Sequence, residues 1–176
     1  MEILLILHGA AFLIAAIAAV TDARTGHIPN WLTLPALVIG PILNGLNDGA
    51  WGLGLSVAAI FLCGLIPYVL FRRKAMGGGD VKLLAAIGAL AGPSIGIEVQ
   101  LTALFVAAIY ALGRLAWKGK LLRTLRNTFF LGVNPVLPRR WRRHIAPELM
   151  EAVRLGVPIF AGTLYALLTR HLFFFG

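Results

Sequence analysis

Six stretches of this chain carry almost nothing but apolar side chains, and each is close to the length at which a helix crosses a bilayer. They fall at residues 3–21, 31–47, 51–71, 81–96, 98–117 and 153–175. Lipid offers no partner for backbone N–H and C=O groups, so about 20 apolar residues in a row fold as a spanning helix that satisfies its own. Composition agrees: 13% of the 176 residues are charged and 59% are apolar, against about 25% and 45–50% in soluble domains. The expected fold is an all-α membrane protein, a polytopic bundle of about six transmembrane helices that makes one integral-membrane domain over residues 1–176. The stretch 81–96 is the shortest, and Gly92-Pro93 within it suggests a turn that ends it. Pro35, Pro41, Pro67 and Pro158 lie inside other stretches, where neighbouring helices must satisfy the carbonyls they free. Residues 3–21 have no basic residue before them and Arg24 after them, which fits a first transmembrane helix rather than a cleaved secretory signal. The single cysteine, Cys63, has no partner for a disulfide or a zinc pair and reads as a small core residue. No metal or cofactor is expected.

Charge placement sets the topology. Every lysine and arginine except Arg170 falls on one side of the six spans: Arg24 after the first, Arg72, Arg73 and Lys74 after the third, Lys82 at the start of the fourth, and the rest at or beyond the end of the fifth. Basic loops stay in the cytoplasm. The amino and carboxyl termini are therefore expected outside, on the face opposite the basic loops. The polar segment at about 118–150, with Trp141 among Arg139, Arg140, Arg142 and Arg143, has the composition of a loop that lies on anionic headgroups. Its tether to flanking spans favours membrane lipid over nucleic acid as its partner. His144 has no second ligand at a metal spacing and reads as a solvated loop residue.

Only seven residues are acidic, yet two of them, Asp22 and Asp80, stand at the edges of apolar helices on this same cytoplasmic side. Ionisable groups at such positions are costly and usually functional. Singly, each has a structural explanation: Asp22 as an interfacial partner of Arg24 or a turn residue before Gly26, Asp80 as an N-cap. Together they differ, because the intervening residues are consumed by one helical hairpin, which returns Asp80 to the depth of Asp22. Gly77, Gly78 and Gly79 precede Asp80 and give backbone freedom and room for close approach. A phosphate is a poor candidate for that room, since no GxxxxGK[ST] is present and Asp80 repels anions. An extended peptide fits better.

Two carboxylates sharing one proton are the machinery of aspartic proteolysis: the ionised one activates water and the protonated one donates to the peptide carbonyl. Asp80, at a helix N-terminus beside Lys82, is expected to be the resting base, and Asp22, at a helix C-terminus, the resting acid.

At these residues the chain resembles the type IV prepilin peptidases, GxGD-type membrane aspartic proteases. The match runs through Asp22 with Ile28-Pro29-Asn30 and Leu32-Thr33-Leu34-Pro35, through Gly77, Gly79, Asp80 and Lys82, and weakly through Val157-Pro158-Ile159. The resemblance implies catalysis by Asp22 and Asp80, with Gly77, Gly78, Gly79, Lys82, Pro29 and Asn30 binding substrate or supporting the site. It implies removal of the basic leader of prepilin or pseudopilin substrates after a glycine, on the cytoplasmic face. Larger members also N-methylate the new terminus and carry an added cytoplasmic domain with paired cysteines between the first spans. Here only about nine residues separate those spans and no CxxC occurs, so the chain resembles the short, peptidase-only forms of tight-adherence pilus systems. The alternatives are a GxGD protease that cuts within transmembrane helices, a small transporter using membrane aspartates, and a pilus-assembly subunit without activity.

Overall fold

Along the first helix, the residues turned inward are Leu7, Ala11, Ala15, Ala18 and Asp22, a spacing of three and four that repeats on one face of an α-helix. Leu4, Leu5, Ile6, Leu13, Ile17 and Val20 on the other faces are exposed. An apolar exterior around a seam of small residues is how helices pack in lipid, where close backbone approach replaces hydrophobic drive. The computed structural model describes residues 2–73, 75–117 and 154–174. All regular structure there is helical: α1 (Glu2–Thr25), α2 (Asn30–Arg72), α3 (Gly78–Trp117) and α4 (Gly156–Phe174). The basic segment expected at 118–150 lies outside the described residues. Residues 1–107 and 152–176 make one compact unit; of the second, 108–151, only the end of α3 is described.

Three of the helices are long and apolar enough to cross a membrane: Glu2–Thr25, Asn30–Arg72 and Gly78–Gly113. Two of these are not straight. In α2 the backbone leaves helical geometry at Asp48 (φ −124°, ψ 20°) and Gly49 (φ 62°, ψ −150°), a left-handed φ that glycine adopts without penalty. Asn44 Nδ2 and Ser56 Oγ both donate to the carbonyl of Ala89, at 3.0 and 2.6 Å. A straight helix would separate residues 44 and 56 by about 18 Å, so α2 turns back on itself. The second reversal is at Gly92 in α3 (φ 85°, ψ 171°). A Cβ on Gly96 would lie 2.9 Å from Gly88 Cα, whereas eight residues of straight helix span about 12 Å. The four helices thus comprise six limbs, with breaks beside the expected ends of the second and fourth apolar stretches. The fourth limb stops at 91 rather than 96. Gly92 breaks it, and Pro93, whose fixed φ and missing N–H suit a first helical turn, opens the next.

That second break leaves polar groups to satisfy. Pro93 has no N–H for the carbonyl of Ala89, four residues back, and the carbonyl instead accepts Ser56 Oγ and Asn44 Nδ2. Asn44 Nδ2 also reaches Gly40 O at 3.0 Å and Leu90 O at 3.4 Å. Gly40 makes this approach possible, since a Cβ there would sit 2.7 Å from Ala89 O. α1 packs against α4, with Phe12 and Phe160 ring centroids 5.5 Å apart. Around this seam, Ala15, Ala18, Ile28, Leu83, Leu84, Ile87, Leu155 and Ile159 form part of the main buried cluster.

Candidate active site

The buried face of α1 ends in Asp22, one turn before the helix stops. Gly26 stops it: with φ 68° it takes the left-handed conformation common just past a helix end, and its N–H donates to Asp22 O at 2.8 Å. Residues 26–29 then cross to α2, where Pro29, extended at φ −72° and ψ 142°, stands as N-cap and Asn30 is the first helical residue. Ile28 turns into the core, 4% exposed.

Asp80 comes from the start of α3. The helix begins at Gly78, so Asp80 is its third residue rather than the N-cap that its sequence position suggests. Its Oδ2 accepts the N–H of Gly77 at 3.2 Å, the reach-back bond of a capping box. Both carboxylates are 6% exposed, and the segments that follow Asp22 and precede Asp80 pack together, since a Cβ on Gly79 would meet Ile28 Cβ at 3.0 Å. The hairpin of α2 does return the chain to the neighbourhood of Asp22.

The glycines before Asp80 act through size. None of Gly77, Gly78 and Gly79 has a positive φ among the described residues, and Gly78 and Gly79 are helical. A Cβ on Gly79 would meet Ile28 Cβ at 3.0 Å, and one on Gly77 would meet Asp80 Oδ2 at 2.9 Å. Close approach was expected of these residues; unusual backbone freedom was too, and it is not what the turn uses. The neighbour that comes close is the chain's own 26–30 connection. Lys82 Nζ completes that join by donating to Asn30 Oδ1 at 2.9 Å.

Between these two segments opens a cleft of about 280 Å³, lined by Gly26, His27, Ile28 and Asn30 on one side and by Gly77, Gly78, Gly79, Asp80 and Lys82 on the other. The residues singled out from the second motif, Gly77, Gly78, Gly79, Asp80 and Lys82, are thus all in one wall. Asp22 and Pro29 are not in it. Nor are Leu32 and Thr33, which belong to the core at 6% and 0% exposure; the Thr33 hydroxyl has no hydrogen-bond partner.

Sequence reasoning missed what holds Asp22. Its Oδ2 accepts the N–H of Gly156 at 3.0 Å, the first residue of α4. Arg154 Nη1 donates to the carbonyls of Asp22 and Ala23 at 3.3 and 2.9 Å. The nearby Val157-Pro158-Ile159 was the one available signal. This contact also corrects the expected contrast between the aspartates. Asp22 does lie at the C-terminal end of α1, but it faces the N-terminal end of α4, as Asp80 faces that of α3. Lys82, the other ground for contrast, is bonded to Asn30.

Residues 9–112 match the type IV leader peptidase family. The chain is 33% identical over 153 residues to the prepilin peptidase EppA of Methanothermobacter thermautotrophicus, covering 82% of this chain and 39% of that protein. It is 35% identical over 127 residues to a prepilin leader peptidase/N-methyltransferase of Burkholderia pseudomallei, covering 64% of this chain and 39% of the relative. A protein of the same description from Neisseria gonorrhoeae is 30% identical over 97 residues, 52% of this chain and 32% of its own length. The chain therefore spans between about a third and two-fifths of the length of these relatives. No solved structure matches it. With a matched stretch that begins inside α1, encloses Asp22, the cleft and Asp80, and runs through both limbs of α3, the chain belongs to the type IV leader peptidase family.

Proposed function

We propose that the chain, as one integral-membrane domain, is an aspartic endopeptidase that removes the basic leader of prepilin-like proteins on the cytoplasmic side of the membrane. The observation that carries this is a peptide-sized cleft onto which the buried Asp80 opens, walled on its other side by the connection that leaves the helix ending in the buried Asp22. Asp22 and Asp80 are the catalytic pair. One, ionised, takes a proton from water as the water oxygen bonds to the scissile carbonyl carbon; the other gives its proton to the carbonyl oxygen. Collapse of the tetrahedral intermediate breaks the C–N bond, and the leaving nitrogen takes a proton from the dyad. Asp80 opens directly onto the cleft. Asp22 joins the reacting atoms once peptide is bound, in keeping with catalytic contacts that tighten only in the complex.

Gly77, Gly78, Gly79, Asn30 and Lys82 form the walls against which the leader junction lies, and Pro29 sets the start of α2. The six limbs are six membrane crossings, with the substrate's own apolar helix beside them in lipid. The basic side of the chain is cytoplasmic. The chain does not N-methylate, because residues 26–29 leave no room between α1 and α2 for the cysteine-bearing insert of larger members.

Co-expression with a prepilin carrying a basic leader tests the reading. Wild type should shorten the substrate by the leader, and Asp22→Asn and Asp80→Asn should each lower cleavage by at least about a hundredfold while inserting into the membrane normally. A transporter would leave substrate uncut in all three. Cleavage by either single variant at the wild-type rate would refute the assignment of the dyad.

A further inference from the structure

We infer that the head of α4, Arg154 to Gly156, is the positioning element of Asp22, so that the site is assembled from three places in the chain. The inference rests on the peptidase reading and adds to it a group that the family match, ending at residue 112, does not reach. Asp80 is oriented by its own turn, three residues away. Asp22 has no such local support for its carboxylate, and it sits in the last turn of α1, where its carbonyl accepts the Gly26 N–H at 2.8 Å and keeps a second lone pair. Both the carboxylate and that lone pair are met from α4.

Gly156 fixes the carboxylate. Its N–H lies 3.0 Å from Asp22 Oδ2 in a buried setting, where a hydrogen bond to a carboxylate is stronger than in water. A Cβ at position 156 would stand 2.7 Å from Asp22 Cβ and 2.8 Å from Oδ2. The α4 backbone thus touches the carboxylate directly, which no residue with a side chain permits. Arg154 fixes the other end of the same residue through the carbonyls of Asp22 and Ala23, and its guanidinium packs 3.4 Å from where a Cβ on Gly26 would be. Leu155 between them is 6% exposed in the main core cluster, which ties the pair to the bundle. Asp22 is thus held at carboxylate and carbonyl together. A misplacement of about 1 Å in a reacting group costs about a hundredfold in rate.

Arg154 and Gly156 do not touch substrate; they act through Asp22, and they act on different atoms of it. The test is lipid-reconstituted enzyme with a synthetic substrate, a basic leader ending in glycine followed by an apolar helix. Gly156→Ala should lower kcat by about ten- to a hundredfold, leave KM within about twofold, and move the acid-side midpoint of the pH–rate profile by about half a unit or more, because a donor to the carboxylate is displaced. Arg154→Gln should lower kcat and leave that midpoint in place, because it bears only on main-chain carbonyls. If Gly156→Ala does not fold, an amide-to-ester replacement at 156, which deletes the N–H and adds no side chain, must show the same shift. Wild-type cleavage with kcat in all variants within about twofold of it would overturn the inference and leave the peptidase reading standing. So would a fall in kcat with an unmoved midpoint in both Gly156 variants, the mark of a merely structural contact. Failure of wild type to cut would overturn both.

Discussion

The carbonyl of Ala89 offers a test of how the fourth limb, which carries Asp80 at its other end, is anchored. Pro93 cannot donate to it, and two side chains from the opposite limbs of α2 do so: Ser56 at 2.6 Å and Asn44 at 3.0 Å. Removing either donor leaves the other. Side-chain hydrogen bonds between membrane helices average about 0.6 kcal/mol, so Ser56→Ala and Asn44→Ala should each destabilise by about 0.5–1 kcal/mol. Removing both leaves a buried carbonyl with no donor, at a cost of about 1–3 kcal/mol beyond the two lost bonds. The double variant should therefore lose about 2–5 kcal/mol, more than its parts by at least about 1 kcal/mol. Reversible unfolding in mixed micelles, followed by far-ultraviolet circular dichroism, reads this directly. Independent sites add to within about 0.5 kcal/mol. A double variant that is additive within that margin would show that the freed carbonyl is not shared by Ser56 and Asn44, and that the limb is anchored by packing alone.

Two further outcomes bear on the cleft and its walls. Lys82→Met and Asn30→Ala both cut the bond that joins the walls; since that bond is exposed, each should lower kcat/KM by only about two- to fivefold, and the double variant should be no worse than the poorer single. Multiplying effects in steady-state cleavage assays would separate the two residues' roles. Gly40→Ala should destabilise the protein by about 1–3 kcal/mol, because its Cβ would meet Ala89 O at 2.7 Å; unchanged stability in the same micelle assay would contradict the close contact.

Much of the outline was legible in the chain. Apolar runs of spanning length announced helices, and the division between the runs 31–47 and 51–71 falls where the backbone reverses at Asp48 and Gly49. Asp22 could be read as inward-facing from Leu7, Ala11, Ala15 and Ala18, since a repeat of three and four carries it onto their face. Local pattern could not show what a residue meets across space. Asp80 looks like an N-cap because it precedes an apolar run, but Gly78 and Gly79 join the helix and move it to the third position. Three successive glycines suggest a flexible loop, whereas here they shorten the distance to Ile28 and Asp80. The Gly156 contact joins positions 134 residues apart in sequence, and no spacing rule spans that distance. The electrostatic contrast drawn from helix ends was incomplete for the same reason: it counted the helix to which Asp22 belongs and not the one that it faces.

The corrected surroundings change how the dyad is expected to work. Each carboxylate accepts one glycine N–H, Asp80 from Gly77 and Asp22 from Gly156, and each meets the N-terminal end of a helix, whose dipole attracts negative charge. Neither is marked by its helix as permanent acid or permanent base. Such equivalence suits a reaction in which the roles exchange: the carboxylate that takes the proton from water must supply one to the leaving nitrogen, while its partner donates first and is restored later. The pH–rate profile should be bell-shaped, falling at low pH where both groups are protonated and at high pH where both are ionised. Removing one carboxylate ends the sharing, so neither Asp22→Asn nor Asp80→Asn should retain the two-sided profile in whatever residual cleavage remains. A wild-type profile with a single transition, or an unchanged bell in either variant, would mean that the proton is not shared and that one aspartate serves only to hold its helix.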